Sequence, residues 1–173
     1  MAAPLDPTTS SWALTIAQAI VSLEPGAIVL SPGSRSTPIA IACFALAESL
    51  MSVCIDERTA SFRALGIAKG SGRPVVLVST SGSAPCHWLP AIVEADAGNV
   101  PVLALSCDRP REDVTSGASQ TIDQTHLFGR HVRAAIDLEP PTREALKFLP
   151  SQLGRLFSHL LGPPSGPVHM NVR

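Results

Sequence analysis

At 173 residues, 45% hydrophobic and with a formal net charge of −1, the chain has the size and composition of one soluble globular domain, not of a disordered or nucleic-acid-coating protein. Lys and Arg are scattered without a basic cluster, which argues against a nucleic-acid partner, and no apolar run approaches a membrane span. The N-terminus lacks the layout of a signal peptide, and Cys43, Cys54, Cys86 and Cys107 form no CxxC or Cys/His ligand pattern, so a cytoplasmic chain with no metal site of its own is expected.

In chain order, the first helical pattern covers 10–23. It opens after the cap-rich Pro7-Thr8-Thr9-Ser10 and sets Trp12, Ile16, Ile20 and Leu23 on one face. The first strand-like run, 27–31, stops at Pro32-Gly33, and a helical pattern follows over 36–49. Further strand-like runs at 51–55, 74–80, 100–107, 132–138 and 167–172 alternate with helical patterns at 57–70, 83–97 and 142–161. The runs are mostly continuous in apolar character, as expected for strands buried on both faces. Cys54 and Cys107 fall within them and read as small buried hydrophobes. The alternation predicts an α/β fold: a doubly wound, mostly parallel six-stranded sheet with helices on both faces. Residues 109–131 form a long polar connection with a short apolar piece at Leu127-Phe128, and read as a functional loop. Val168 to Arg173 form a strand that stops without a following turn; a fragment of a longer protein is expected, although a natural C-terminal strand would look the same.

In such sheets ligands bind beyond the carboxyl ends of the strands, which singles out 31–36, 56–58, 79–84 and 106–112. At the first place, Ser34, Arg35 and Ser36 lie where a strand gives way to a helix start, a setting that suits an anion. The plainer alternative has Ser36 capping the helix and Arg35 solvated. At the second, Asp56-Glu57-Arg58 is either a cap with a local ion pair or a site where one acid faces the crevice. Thr80-Ser81-Gly82-Ser83-Ala84 offers N–H groups and hydroxyls without the spacing of a P-loop; alternatively it is a joint with Ser83 as N-cap. His87, alone in the next helix, reads first as structural or exposed. At the fourth place Arg109 is either a carboxylate clamp or the partner of Asp108 in a surface pair.

Ser31-Pro-Gly-Ser-Arg-Ser-Thr-Pro38, Asp56-Glu-Arg58, Thr80-Ser-Gly82, Asp108-Arg-Pro110 and Gly117-Ala-Ser-Gln-Thr-Ile-Asp-Gln124 occur in this order and spacing in one family. Over nearly its whole length the chain resembles the N-terminal domain of the thiamine-diphosphate-dependent 2-succinyl-5-enolpyruvyl-6-hydroxy-3-cyclohexene-1-carboxylate synthases of menaquinone biosynthesis, the MenD family. The resemblance implies that residues 1–173 are a single pyrimidine-binding (PYR) domain. It also implies that the whole enzyme decarboxylates 2-oxoglutarate and adds the succinyl carbanion equivalent to isochorismate. Thiamine diphosphate and Mg2+ would be held with a separate diphosphate-binding domain carrying Gly-Asp-Gly…Asn, a motif not found in this sequence. A homodimer or homotetramer is implied, and the chain alone is expected to be inactive.

By the same resemblance Glu57 matches the catalytic acid that hydrogen-bonds the pyrimidine ring nitrogen, whose protonation favours the imino tautomer that can deprotonate the thiazolium carbon. Pro32, Gly82 and Ser83 match the walls around the cofactor ring. Ser34, Arg35, Arg109 and Gln120 match contacts to the carboxylate-bearing substrates, isochorismate in particular. Pro85-Cys86-His87-Trp88 departs from the family pattern, which puts contacts from the 83–97 helix in question; Arg111 and Ser119 depart from it too, without touching Glu57 or Arg35. Acetolactate-synthase-like relatives usually show Gly-Pro-Gly where this chain has Gly82-Ser83-Ala84, and they lack the Ser-Pro-Gly-Ser-Arg-Ser stretch. A non-catalytic binding module of the same fold need not keep both Glu57 and Arg35.

Overall fold

The computed structural model describes residues 6–173. Asp6 caps the first helix, α1 (Pro7–Ser22), accepting the Thr8 N–H, and Pro7 starts the helix where a missing N–H costs nothing. The strands are β1 (Ala27–Leu30), β2 (Met51–Val53), β3 (Val75–Ser79), β4 (Val102–Cys107), β5 (Ala135–Leu138) and β6 (Val168–Val172). Between them run α2 (Thr37–Ala47), α3 (Glu57–Ser71), α4 (Leu89–Ala97), α5 (Arg111–Thr115) and α6 (Arg143–Leu161). The expected doubly wound α/β sheet is present, and every strand pairing in it is parallel.

The strand order is β2-β1-β3-β4-β6-β5. Successive strand residues face opposite sides, so each buried strand feeds two cores. Ile28, Leu30, Val76, Val78, Leu103 and Leu105 pack with α1, α2 and α6 on one face. Ala27, Val29, Val75, Leu77, Val102 and Ala104 pack with α3 and α4 on the other. Within α1, Trp12, Ile16 and Ile20 are buried as their spacing predicts, whereas Leu23 is only half-buried at the C-cap.

Three expectations need correction. Burial on both faces holds for the inner strands but not for the edge strands: β2 is half-buried, and Val53 and Ile55 at and just beyond its end are 53% and 76% exposed. Cys54 lies past β2, half-buried, with its thiol donating to Asp56 O; Cys107 is buried as expected. The 83–97 helix is interrupted. Pro90 has no N–H for the Cys86 carbonyl, so Pro85–Trp88 form a 3-10 turn and the regular helix restarts at Leu89.

Candidate functional site

The chain runs from β1 outward to β2 and then crosses back to β3 on the other side of β1, so the loops after β1 and β3 diverge at the switch point of the sheet. Ser31 ties this point together. Its N–H donates to Val78 O at 2.8 Å, and its hydroxyl donates to Cys54 O at 2.9 Å. Gly33 lies so close to Thr80 that any Cβ there would overlap the Thr80 side chain. Ser36 is buried and its hydroxyl returns to Gly33 O at 2.9 Å; it occupies the cap position of α2 without making the capping hydrogen bond. Ser34 and Arg35 are left facing outward.

They open onto a cleft of about 420 Å³ whose walls include Trp12, Pro141 and, from the loop after β4, Arg109. Arg35 Nη2 lies 3.4 Å and Arg109 Nη1 3.8 Å from the same oxygen, Asp113 Oδ2, on α5. Arg109 Nε is buried without an acceptor among the described residues. Two guanidiniums facing a single carboxylate leave unsatisfied cationic donors, the donor set that a carboxylate ligand satisfies. The Asp108–Arg109 surface pair is not formed. Asp108 is buried, accepts the Arg109 N–H at 2.7 Å and pairs with Arg173 at 3.2 Å. Cys107, also on the cleft, has its thiol pushed up by burial, and Cys43 is pushed up to about 11, so neither supplies a thiolate.

The loop after β2 divides the work of its two acids. Asp56 is the N-cap of α3: its carboxylate accepts the Arg58 and Thr59 N–H groups at 2.9 and 3.1 Å and binds the Arg58 guanidinium at 2.5 Å. The Arg58 hydrogen bond, then the backbone one from Thr59, holds the Asp56 carboxyl well below the usual range. Glu57, the first residue of α3, is thereby released from capping. Its half-exposed carboxylate has no hydrogen-bond or ion-pair partner among the described residues, and the apolar Ile55 and Phe62 are exposed in the same segment. An acid with no partner of its own is free to hydrogen-bond a ligand nitrogen.

After β3, Gly82 is buried at φ +80, a conformation that favours glycine, and a Cβ there would meet Gln120 Cγ at 2.8 Å. Gln120 is bound to this turn. Its Nε2 donates to Ser81 O at 3.2 Å, and Ser81 Oγ donates to Gln120 O at 3.0 Å. The structure thus brings Ser34, Arg35 and Arg109 into one cleft, and sets Gln120 against the Gly82 turn instead of within that cleft. Pro32 and Ser83 are exposed on the neighbouring loops, and Ser83 caps no helix by its side chain. His87 is exposed on the 3-10 turn.

Sequence reasoning missed Asp113, Gln124 and Asn171. Asp113 stands four residues after Arg109, a helical ion-pair spacing that was available to be read. Asn171 is a polar residue inside an apolar strand, which by itself demands buried partners. Among the described residues no group of three or more His, Cys, Asp or Glu side chains is placed to hold a metal, and no helix is long and apolar enough to cross a membrane.

Comparison with known proteins places these features in a family. Residues 12–127 match the model of the thiamine pyrophosphate enzyme, N-terminal TPP binding domain. A curated 2-succinyl-5-enolpyruvyl-6-hydroxy-3-cyclohexene-1-carboxylate synthase of Chlorobaculum parvum is 43% identical over 165 residues, covering 95% of this chain and 28% of the relative. The proteins of the same name from Sorangium cellulosum and Geobacillus thermodenitrificans are 44% identical over 166 residues and 48% identical over 146 residues. These alignments cover 95% and 83% of this chain, and 27% and 25% of the relatives. The chain spans little more than a quarter of the length of the curated relatives it matches. It belongs to the family of thiamine pyrophosphate enzyme N-terminal domains.

Proposed function

We propose that residues 1–173 are the pyrimidine-binding domain of a thiamine-diphosphate- and Mg2+-dependent synthase. The whole protein would decarboxylate 2-oxoglutarate and join the remaining succinyl unit to isochorismate, acting in the cytoplasm as a homodimer or homotetramer. Three relatives carrying the name of that product, and similar over most of this chain, support the reading. The observation that carries it is the division between Asp56 and Glu57: the cap is supplied by one acid, which leaves the other for a ligand.

Thiamine diphosphate supplies the electron sink that decarboxylation of a 2-oxo acid requires. Toward it, Glu57 would hold a proton at the pyrimidine nitrogen, while Pro32, Gly82 and Ser83 wall the ring. The bare face of Gly82 is taken up by Gln120, so this turn would meet the ring as one rigid unit with Gln120. Ser34, Arg35 and Arg109 would bind a substrate carboxylate in their cleft, with the planar arginine forks fixing its orientation. Gln120 would contact substrate from its place on the Gly82 turn. A second domain of the same protein would hold the diphosphate and Mg2+, so the 173-residue chain alone is expected to be inactive.

The test is an assay of the full-length protein with thiamine diphosphate, Mg2+, 2-oxoglutarate and isochorismate. Carbon dioxide release and product formation that require both substrates support the proposal. Condensation of pyruvate instead, without use of isochorismate, would assign the chain to an acetolactate-synthase-like enzyme.

A further inference from the structure

A buried chain of hydrogen bonds joins the Gly82 turn to Arg109. The Gly82 N–H donates to Gln124 Oε1 at 2.9 Å, and Gln124 Nε2 donates to Asn171 Oδ1 at 2.9 Å. The same Asn171 oxygen accepts from Ser106 Oγ at 2.7 Å, while Nδ2 donates to Asp108 Oδ2 at 2.9 Å and to Asp137 Oδ1 at 2.8 Å. Asp108 in turn accepts the Arg109 N–H, and Arg173, paired with Asp108, donates to Arg109 O at 2.9 Å. Both backbone polar groups of Arg109 are thus held by this cluster.

The direction of the chain is fixed. Asp108 and Asp137 carry acceptors only, so the Asn171 amide must turn its nitrogen to them and its oxygen to Gln124. That oxygen demands a donor, so Gln124 must present its nitrogen there and its oxygen to the Gly82 N–H. Gln124 and Asn171 are almost completely buried, and a half-satisfied network at this depth costs more than an apolar one.

We propose that Gln124 and Asn171 are positioning residues that hold the Gly82 turn and Arg109 in register, coupling the cofactor-ring wall to the carboxylate cleft. The inference rests on the reading of those two places as cofactor and substrate sites.

The test uses the full-length enzyme carrying Gln124→Met, which keeps length and removes both hydrogen bonds. The dissociation constant for thiamine diphosphate and the KM for isochorismate are both expected to rise, each by about threefold to tenfold, the effect of losing one neutral hydrogen bond. A purely structural role would lower thermal stability and leave both constants in place; that result, or movement of only one constant, overturns the proposal. Asn171→Ser leaves Gln124 Oε1 on the Gly82 N–H and is too short to bridge Gln124 to Asp108. It is expected to raise the KM for isochorismate while cofactor affinity holds, and serves if the Met variant does not fold; an unchanged KM in this variant overturns the proposal equally. Wild type measured alongside separates the two readings. No turnover of isochorismate by wild type overturns the functional assignment and this inference with it, whereas wild-type turnover with unmoved constants in the variants overturns this inference alone.

Discussion

Arg35 and Arg109, from the loops after two strands that are not neighbours in the sheet, converge on one oxygen, Oδ2 of Asp113. Asp113 is the internal counter-charge of the cleft and competes with any anionic ligand for both guanidiniums. Replacing it in the full-length enzyme by Asn removes that competition. Partly exposed pairs of this kind are worth about 0.2–1 kcal/mol, so Asp113→Asn is expected to lower the KM for isochorismate by roughly 1.5-fold to fivefold. Steady-state kinetics at low and moderate salt check this; a raised KM would show that Asp113 orients the arginines more than it competes with the substrate.

Removing either arginine acts in the opposite direction. Loss of one member of a hydrogen-bonded charge pair costs about 2–5 kcal/mol when buried, and the partial exposure of Arg35 and Arg109 sets the lower end of that range. Arg35→Ala and Arg109→Ala should each raise the KM for isochorismate roughly thirtyfold, with the dissociation constant for thiamine diphosphate unchanged. Titration calorimetry for the cofactor and initial rates for the substrate separate the two effects. An unchanged KM would remove the residue from the substrate site.

His169 makes the fold sensitive to acid. It is buried in β6, with Nε2 2.8 Å from Ser106 Oγ and its ring edge-on to Phe128, and burial pushes its imidazole down to about 4. The folded pKa lies below the unfolded value near 6.5, so between those two values the unfolded chain takes up a proton that the folded chain refuses. The contribution of His169 to stability is therefore complete above about pH 6.5 and is lost as pH falls toward 4, by up to about 1.4 kcal/mol per pH unit. Urea midpoints of the 173-residue chain at pH 8, 6 and 5 should fall in that order. His169→Gln should flatten the slope whatever it does to the midpoint at pH 8; an equally steep slope in the variant would place the acid sensitivity elsewhere.

The six strands were legible because buried parallel strands are written as continuous apolar runs, and those runs are unmistakable at Ala27–Leu30, Val75–Ser79 and Val102–Cys107. Edge position was not legible: nothing in Met51–Val53 says that one side has no neighbouring strand. The five-residue α5 is too short to carry a periodic signal, so the four-residue spacing of Arg109 and Asp113 was the one sign of the pair within a connection read only as polar. The resemblance named Ser34, Arg35 and Arg109 together, and the cleft unites them. It also named Gln120, but the sequence holds no sign that this residue, at φ +59, docks on the Ser81–Gly82 turn. Asn171 and Gln124 belong to a network between distant segments, and partners of that kind are set by the sheet order, not by local spacing.

Glu57, the acid that Asp56 releases from capping, is the residue on which a thiamine-dependent role for this domain depends. In the full-length enzyme with saturating thiamine diphosphate and Mg2+, turnover of 2-oxoglutarate and isochorismate should fall by about a hundredfold to ten-thousandfold in Glu57→Gln, the usual contribution of a positioned proton-transfer group. Oligomeric state should match wild type and stability should stay within about 1 kcal/mol of it, because the substituted carboxylate makes no hydrogen bond or ion pair among the described residues and gives up only its place at the α3 N-terminus. Turnover near the wild-type rate would contradict the assignment of Glu57, and with it the claim that this domain supplies the acid of a thiamine-dependent active site.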